Sequence, residues 1–383
     1  MDVNASKGGK SASPKRISIA KPIIGPSVLG EIRNVLESGQ LRQGRRVREF
    51  EALFAEKVGA RHAYAVCSGT AALHVAYLSA VRPGDEVIVP SFTFLATASM
   101  VYYSRARPVF ADVHLETYLI DLEDVKEKIT PRTRAVVPVH LFGNAADIGG
   151  LLDLCEDHCL TLIHDSAQAH GTRYDGVDVG GIGDLGCYSF YPSKTLTTGE
   201  GGMVTTDDEG MYRRGVLLRA HGDDGRYHHV VLGFNYRLTE LAAVLGLDQM
   251  RQFDGFLRRR RECGDYLRRE IGRIDGLHPQ RVTPKVDHSY SYFSLTMDPE
   301  KFRCTRDQFL EALTAENIEC AVHYPAPLTE QPAVKELLDP APCPVAETVS
   351  RRIFSLPMHP ALTDEDLERV VAVVEKVAGR YLR

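Results

Sequence analysis

Between about Arg61 and Thr206 the chain alternates short, unbroken apolar runs with stretches whose apolar residues recur at helical spacing. The runs are Ala63–Val66, Val87–Val89, Pro108–Phe110, Ala135–Val139, Thr161–Ile163 and Cys187–Phe190. Strands that are apolar on both faces have no solvent side, which predicts a mostly parallel sheet covered by crossover helices. Helical stretches between them include Thr70–Ala80, closed by the Pro83-Gly84-Asp85 turn, and Ala146–His158. Beyond about Glu240 the pattern changes to one long helical stretch over Leu241–Ile271, a strand over Tyr290–Met297, and amphipathic helices near Thr305–Glu316 and Thr363–Val377. The expected fold class is α/β: a large domain with a mostly parallel central sheet flanked by helices, and a smaller C-terminal α+β domain. The expected division is a flexible tail over 1–16, the large domain over 17–250 and the small domain over 251–383.

Composition narrows the class. With 44% hydrophobic and 25% charged residues, the chain can bury a large core and is not a disordered protein. Only the tail, rich in Lys, Ser and Gly, lacks the apolar surface to offset its ordering entropy. Its Asn4-Ala5-Ser6 matches the glycosylation sequon, a chance match in a chain that shows no apolar export segment. Forty-six Lys and Arg against fifty-one Asp and Glu give a net charge of −5, with no overall pull toward nucleic acid or anionic membrane, so neither is an expected partner. No apolar run approaches the roughly 18 residues that a membrane-spanning helix needs. Eight cysteines without a repeated spacing suit reduced thiols, and the expected location is the cytoplasm.

Several candidate motifs fail on context. Gly181-Ile182-Gly183-Asp184-Leu185-Gly186 has the glycine spacing of a dinucleotide fingerprint, but a strand-like run follows it where a helix is required. Cys155, His158 and Cys159 lack the paired second half of a zinc site, and no metal is expected. The run Arg258–Arg261 reads as a solvated or salt-bridged helix face. Three other features carry more. Ser68-Gly69-Thr70 lies between a strand and a helix, where free N–H groups can hold a phosphate, although helix capping alone would also explain it. Asp165 stands at the carboxyl end of a strand, placed to pair with a cationic ring nitrogen or else to cap a loop. Lys194 follows another buried strand and is either surface charge or a Schiff-base former with a lowered pKa. A phosphate cradle, a carboxylate and an amine are together what pyridoxal phosphate requires.

These residues, with Ser38–Leu41, Pro90–Phe94, Asp165–Ala169, Ser189–Lys194, Gly233–Arg237 and Leu356–Pro360, resemble the DegT/StrS family of nucleotide-sugar aminotransferases over about 21–377. The resemblance implies the pyridoxal phosphate (PLP/PMP) fold type I, with Lys194 as the Schiff-base lysine and Asp165 on the pyridine nitrogen. Gln168 would lie near the phenolic oxygen, and Ser68, Gly69, Thr70 and Ser189 would hold the phosphate. Phe94 would stack on the ring, and Asn235 would reach the partner subunit's cofactor, which implies a homodimer with shared active sites. The implied activity is transfer of an amino group from glutamate to a nucleotide-linked keto-deoxy sugar. The segment Thr197–Gly202, including Glu200, is similar to that of C-4 aminating members, and His323 and Tyr324 match the substrate mouth or simply end a strand. Two departures bear on the substrate: Cys67 stands where Ser or Asn is more usual, and Thr329 where many relatives have His. Other readings are a C-3 sugar or cyclitol aminotransferase, a sugar dehydratase on the same scaffold, and a cofactor-binding sensor without turnover. Retention of Lys194 counts against the last two.

Overall fold

The computed structural model describes residues 15–383; residues 1–14, most of the expected tail with its Asn4-Ala5-Ser6 sequon, lie outside the described residues. The strands in chain order are β1 (His62–Val66), β2 (Glu86–Pro90), β3 (Arg107–Ala111), β4 (Thr133–Val136), β5 (Thr161–Asp165), the short β6 (Arg173–Tyr174) and β7 (Val177–Asp178), β8 (Leu185–Ser189), β9 (Gly202–Thr206), β10 (Leu277–Pro279), the short β11 (Val286–Asp287), β12 (Phe293–Met297) and β13 (Ile353–Leu356). Seven of them form the central sheet in the order β1-β9-β8-β5-β4-β2-β3. β2, β3, β4, β5 and β8 pair in parallel, while β9 runs antiparallel to both β8 and β1. Hence β1 points the same way as β5 and β8, and the carboxyl ends of all three lie on one edge of the sheet. The predicted mostly parallel sheet is present, with one reversed strand that the apolar pattern did not flag.

The helices cover the sheet as their residues dictate. Gly69–Ala80 is apolar all round and buried from Ala71 through Tyr77, as a helix sandwiched in a core must be. Arg45–Val58 instead presents an apolar stripe of Val47, Phe50, Phe54 and Val58. Phe54 packs 4.9 Å from the Tyr188 ring and 5.5 Å from Phe190, so this helix fixes the strand β8 that leads to the Lys194 loop. A second sheet, β10-β12-β13, carries a separate core with helices Arg306–Ala315 and Asp364–Tyr381. Helix Glu240–Ile271 serves both cores: Leu247 and Phe253 pack with Phe54 and Tyr188, whereas Cys263, Leu267 and Ile271 pack with Phe309 and Phe354. Ile17 also joins the second core and pairs with Ile318.

The basic run on that helix follows the expected solvated or salt-bridged face only in part: Arg258 is exposed and Arg259 pairs with Glu262 and Asp364, but the next residue turns inward. Arg260 is buried, and its guanidinium donates to the carbonyls of Tyr290, Ser291 and Met358 at 3.1–3.2 Å. Arg259 and Arg261 likewise donate to the Leu362 carbonyl and to those of His288 and Gly171. Five fixed donors on a planar group can satisfy several loop carbonyls at once, so the run ties distant loops to the helix.

Candidate active site

The sheet edge where β1, β5 and β8 end collects most of the residues singled out from the sequence. Ser68 has extended backbone and caps helix Gly69–Ala80, its hydroxyl accepting from the Ala71 N–H at 3.1 Å. Its carbonyl takes the Ala72 N–H. The N–H groups of Gly69 and Thr70 have no acceptor among the described residues and point out of a helix start, an arrangement that attracts anions. Ser189, at the end of β8, closes this cradle. A Cβ at Gly69 would come within 2.6 Å of the Ser189 Cβ, and one at Gly202 within 2.4 Å of the Ser68 carbonyl oxygen. Glycine is required at both positions by close approach, whereas Gly199, with φ of +81°, is the residue that makes the turn into β9.

Asp165 lies buried at the end of β5, in register with Cys187 of β8. Its Oδ2 accepts from the Thr97 hydroxyl at 2.8 Å, and its Oδ1 from the Ala167 N–H at 3.2 Å. Burial pushes its pKa up; the Thr97 and Ala167 hydrogen bonds and the Lys194 charge oppose that rise. Lys194 responds in the opposite sense. Burial lowers its pKa from the usual 10.5 to about 8, with the Asp165 charge holding it from falling further. An amine that a pH near neutrality can deprotonate therefore shares its surroundings with a carboxylate.

Gln168 spans the next layer: its carbonyl accepts from the Phe142 N–H at 2.8 Å, and its amide donates to the Tyr324 hydroxyl at 3.0 Å. Tyr324 faces the Phe92 and Phe94 rings at 5.8 and 6.3 Å, and Phe94 remains 60% exposed, free to meet a planar ligand. The His323 ring lies 4.6 Å from that of Tyr292, and its Nδ1 is buried without a partner. Burial, then the nearby Lys194 charge, lowers the His323 pKa to about 4, so it is neutral at pH 7.

Two predicted residues stand apart within the single chain. Asn235 is exposed, pairs through its main chain with Ala220, and lies on a loop tethered to the end of β1 by the Cys67 N–H donating to the Tyr236 carbonyl at 2.7 Å. Glu200 is exposed and bears electrostatically on Cys67 beside the cradle. Conversely, Thr97 and Tyr292 belong to the cluster without having been singled out: Thr97 through Asp165, and Tyr292 through its hydroxyl, which donates to Ser193 at 2.7 Å. A hydroxyl inside the apolar stretch Ala96–Val101 was the available signal for Thr97; Tyr292 left none. Among the described residues no group of three or more His, Cys, Asp or Glu side chains is placed to hold a metal ion. All eight cysteines are free, and no described helix is long and apolar enough to cross a membrane.

The sequence pattern of the DegT/DnrJ/EryC1/StrS aminotransferase family matches residues 22–375. A UDP-N-acetyl-3-dehydro-α-D-glucosamine 3-aminotransferase of Acidithiobacillus ferrooxidans is 39% identical over 355 residues, covering 91% of this chain and 93% of the relative. A GDP-perosamine synthase of Caulobacter vibrioides is 35% identical over 371 residues, covering 94% and 98%. The solved structure of S. venezuelae DesV in complex with a ketimine intermediate matches with a TM-score of 0.89 at 32% identity, over 95% of this chain and 99% of that one.

Proposed function

The chain belongs to the DegT/DnrJ/EryC1/StrS aminotransferase family, and we propose that it aminates C-4 of a nucleotide-linked keto-deoxy sugar with L-glutamate as donor, a reaction of the GDP-4-keto-6-deoxymannose to GDP-perosamine type. As a sugar aminotransferase it uses pyridoxal phosphate, and the residues present fit that group. The observation that carries the reading is the convergence of unpartnered helix N–H groups, a buried carboxylate and a low-pKa amine on one sheet edge. Similarity to a GDP-perosamine synthase and the segment Thr197–Gly202 support C-4. The similarity to a 3-aminotransferase supports C-3 as the second reading.

Bound pyridoxal phosphate supplies an electron sink for breaking bonds at the carbon that carries the amino group. The chain supplies the rest. Gly69, Thr70 and Ser189 hold the phosphate, Asp165 stabilises a proton on the ring nitrogen, and Phe94 stacks on the ring face. Gln168, fixed at both ends by Phe142 and Tyr324, orients beside the ring oxygen. Lys194 Nζ, with a pKa of about 8, can both take up and give back a proton near neutral pH, the requirement for a base that serves donor and acceptor in turn. Neutral His323 and the Tyr324 hydroxyl line the mouth for the sugar. Exposed Asn235 reaches the cradle of a second subunit, so the working form is a homodimer with shared sites.

The test is spectroscopic, then chemical. Glutamate added without acceptor should convert the yellow cofactor band to the pyridoxamine form, and Lys194→Ala should not turn over. A panel of nucleotide keto sugars, with products assigned by NMR, then locates the new amino group. Amination at C-3 replaces the first reading with the second, and a band that answers no amino donor overturns both.

A further inference from the structure

The Lys194 amine makes no side-chain hydrogen bond to any described residue; burial and the Asp165 charge act on it, and the turn that carries it sets its position. That turn, Tyr191-Pro192-Ser193-Lys194, has proline at its second position and is closed by one main-chain bond, the Lys194 N–H donating to the Tyr191 carbonyl at 2.9 Å. Tyr191 and Pro192 are exposed. Ser193 is tied to a distant part of the fold: its Oγ accepts from the Tyr292 hydroxyl at 2.7 Å, across 99 positions of chain. Tyr292 is itself held at its main chain and its ring. It is buried just ahead of β12, its N–H donates to the Phe142 carbonyl at 3.2 Å, and its ring packs edge-on to Phe142 at 6.2 Å and against His323 at 4.6 Å. Phe142 has φ of +66° and Gly143 of +98°, a left-handed pair that surrounding bonds sustain. The Ser289 N–H donates to the Gly143 carbonyl at 2.9 Å, and Arg260 holds the carbonyls of Tyr290 and Ser291. The Phe142 N–H in turn donates to Gln168 at 2.8 Å. One strained turn therefore anchors both Gln168 and, through Tyr292, the Lys194 turn.

We propose that Tyr292 is a positioning residue for the reaction: its hydroxyl holds Ser193 and so fixes where the Lys194 amine stands relative to Gln168 and Asp165. The inference rests on Lys194 being the reacting amine of the proposed function. The Tyr292 hydroxyl does not touch that amine; it restrains the turn from which the amine projects. A base that serves donor and acceptor in turn must stay within hydrogen-bond reach of the proton it moves, and a displacement of about 1 Å can cost roughly a hundred-fold in rate.

The first readout is hydrogen exchange at the Lys194 N–H of the cofactor-free protein, followed on peptides by mass spectrometry. Tyr292→Phe keeps the ring and removes only the hydroxyl, so exchange should quicken about 2–10-fold, the worth of one neutral hydrogen bond. Ser193→Ala removes the same bond from the half-buried side of the turn and should do the same, with no further gain in the double variant. Ser193→Thr keeps an acceptor and should stay near wild type. Tyr290→Phe deletes a neighbouring phenol that bonds Asp265 instead, and should leave Lys194 unchanged. In the cofactor-loaded protein, the single-turnover rate with glutamate should fall several-fold in Tyr292→Phe, with the half-saturating glutamate concentration little changed. The midpoint of Lys194 acylation should stay near 8, because burial and Asp165 set it. Wild-type exchange in Tyr292→Phe, an equal rise in Tyr290→Phe, or faster exchange with an unchanged glutamate rate each overturns the proposal. A shifted midpoint does so too, since it would give the hydroxyl an electrostatic role in place of a positional one. Exchange is read without cofactor or turnover, so a failure of the C-4 assignment leaves that result standing, whereas cofactor attachment to another lysine overturns the proposed site itself.

Discussion

Raising the pH over the cofactor-free protein should discharge Lys194 long before an ordinary lysine. Its pKa of about 8, against the usual 10.5, comes from burial of the amine, partly opposed by the Asp165 carboxylate. A fall of 2.5 units makes the neutral amine about 300-fold more abundant at any pH well below 8, and leaves roughly one molecule in ten neutral at pH 7. Asp165→Asn removes the opposing charge, so in that variant the midpoint should move further down. The assay is competitive acylation with trace reagent, quenched across pH 6–11 and read on the Lys194 peptide by mass spectrometry. Burial slows access by the same factor at every pH, so the position of the inflection is informative while the absolute rate is not. An inflection near 8 that falls in Asp165→Asn is expected. A midpoint near 10.5 would mean that the amine is solvated, and an upward shift in Asp165→Asn would refute the electrostatic argument.

Three further perturbations follow from the packing. Thr97→Val deletes a hydrogen bond to a buried carboxylate, a loss of about 1.5–3 kcal/mol. Pyridoxal phosphate retention, followed by fluorescence, should weaken by about ten-fold or more and recover in Thr97→Ser; wild-type affinity in the valine variant would exclude a positioning role. Asp178 is buried, its Oδ1 accepts from both the Tyr188 hydroxyl and the Gly180 N–H, and burial raises its pKa to about 7. The folded chain therefore holds this proton more tightly than the unfolded one: the penalty is absent below about pH 4, grows as pH rises, and is complete above about 7, at most about 4 kcal/mol. Asp178→Asn keeps an acceptor for both donors, so it should melt above wild type at pH 8, with the gap closing toward pH 4; a gap independent of pH would contradict this. Phe54→Ala should cost about 3–5 kcal/mol in chemical denaturation, because the ring is buried against Tyr188 and Phe190. A loss below 1 kcal/mol would show that β8 is held by other contacts.

How much of this was legible depended on whether the cause was local. Strands β2 to β5 are apolar on both faces and could be read directly from their runs. β9 could not: Gly202, Thr205 and Thr206 dilute its apolar character, and both threonine hydroxyls donate to the carbonyls of Gly180 and Asp184, partners some 20 positions away. Asp165, Ser68 and Lys194 were visible because strand ends are where ligands meet an open α/β sheet. Thr97 was not, since the carboxylate it serves lies 68 positions along the chain. Within the Arg258–Arg261 run, Arg260 and Arg261 misled because their charge is spent on carbonyls brought in by other loops.

The central claim is that Lys194 is the residue to which the cofactor attaches, beside Asp165 and the Gly69-Thr70 cradle. Borohydride reduction of the pyridoxal phosphate-loaded protein, followed by peptide mass mapping, tests it most directly. The account predicts a phosphopyridoxyl group on Lys194 in wild type and none on any lysine in Lys194→Ala. Modification of another lysine in the wild-type protein, or of none, would contradict it.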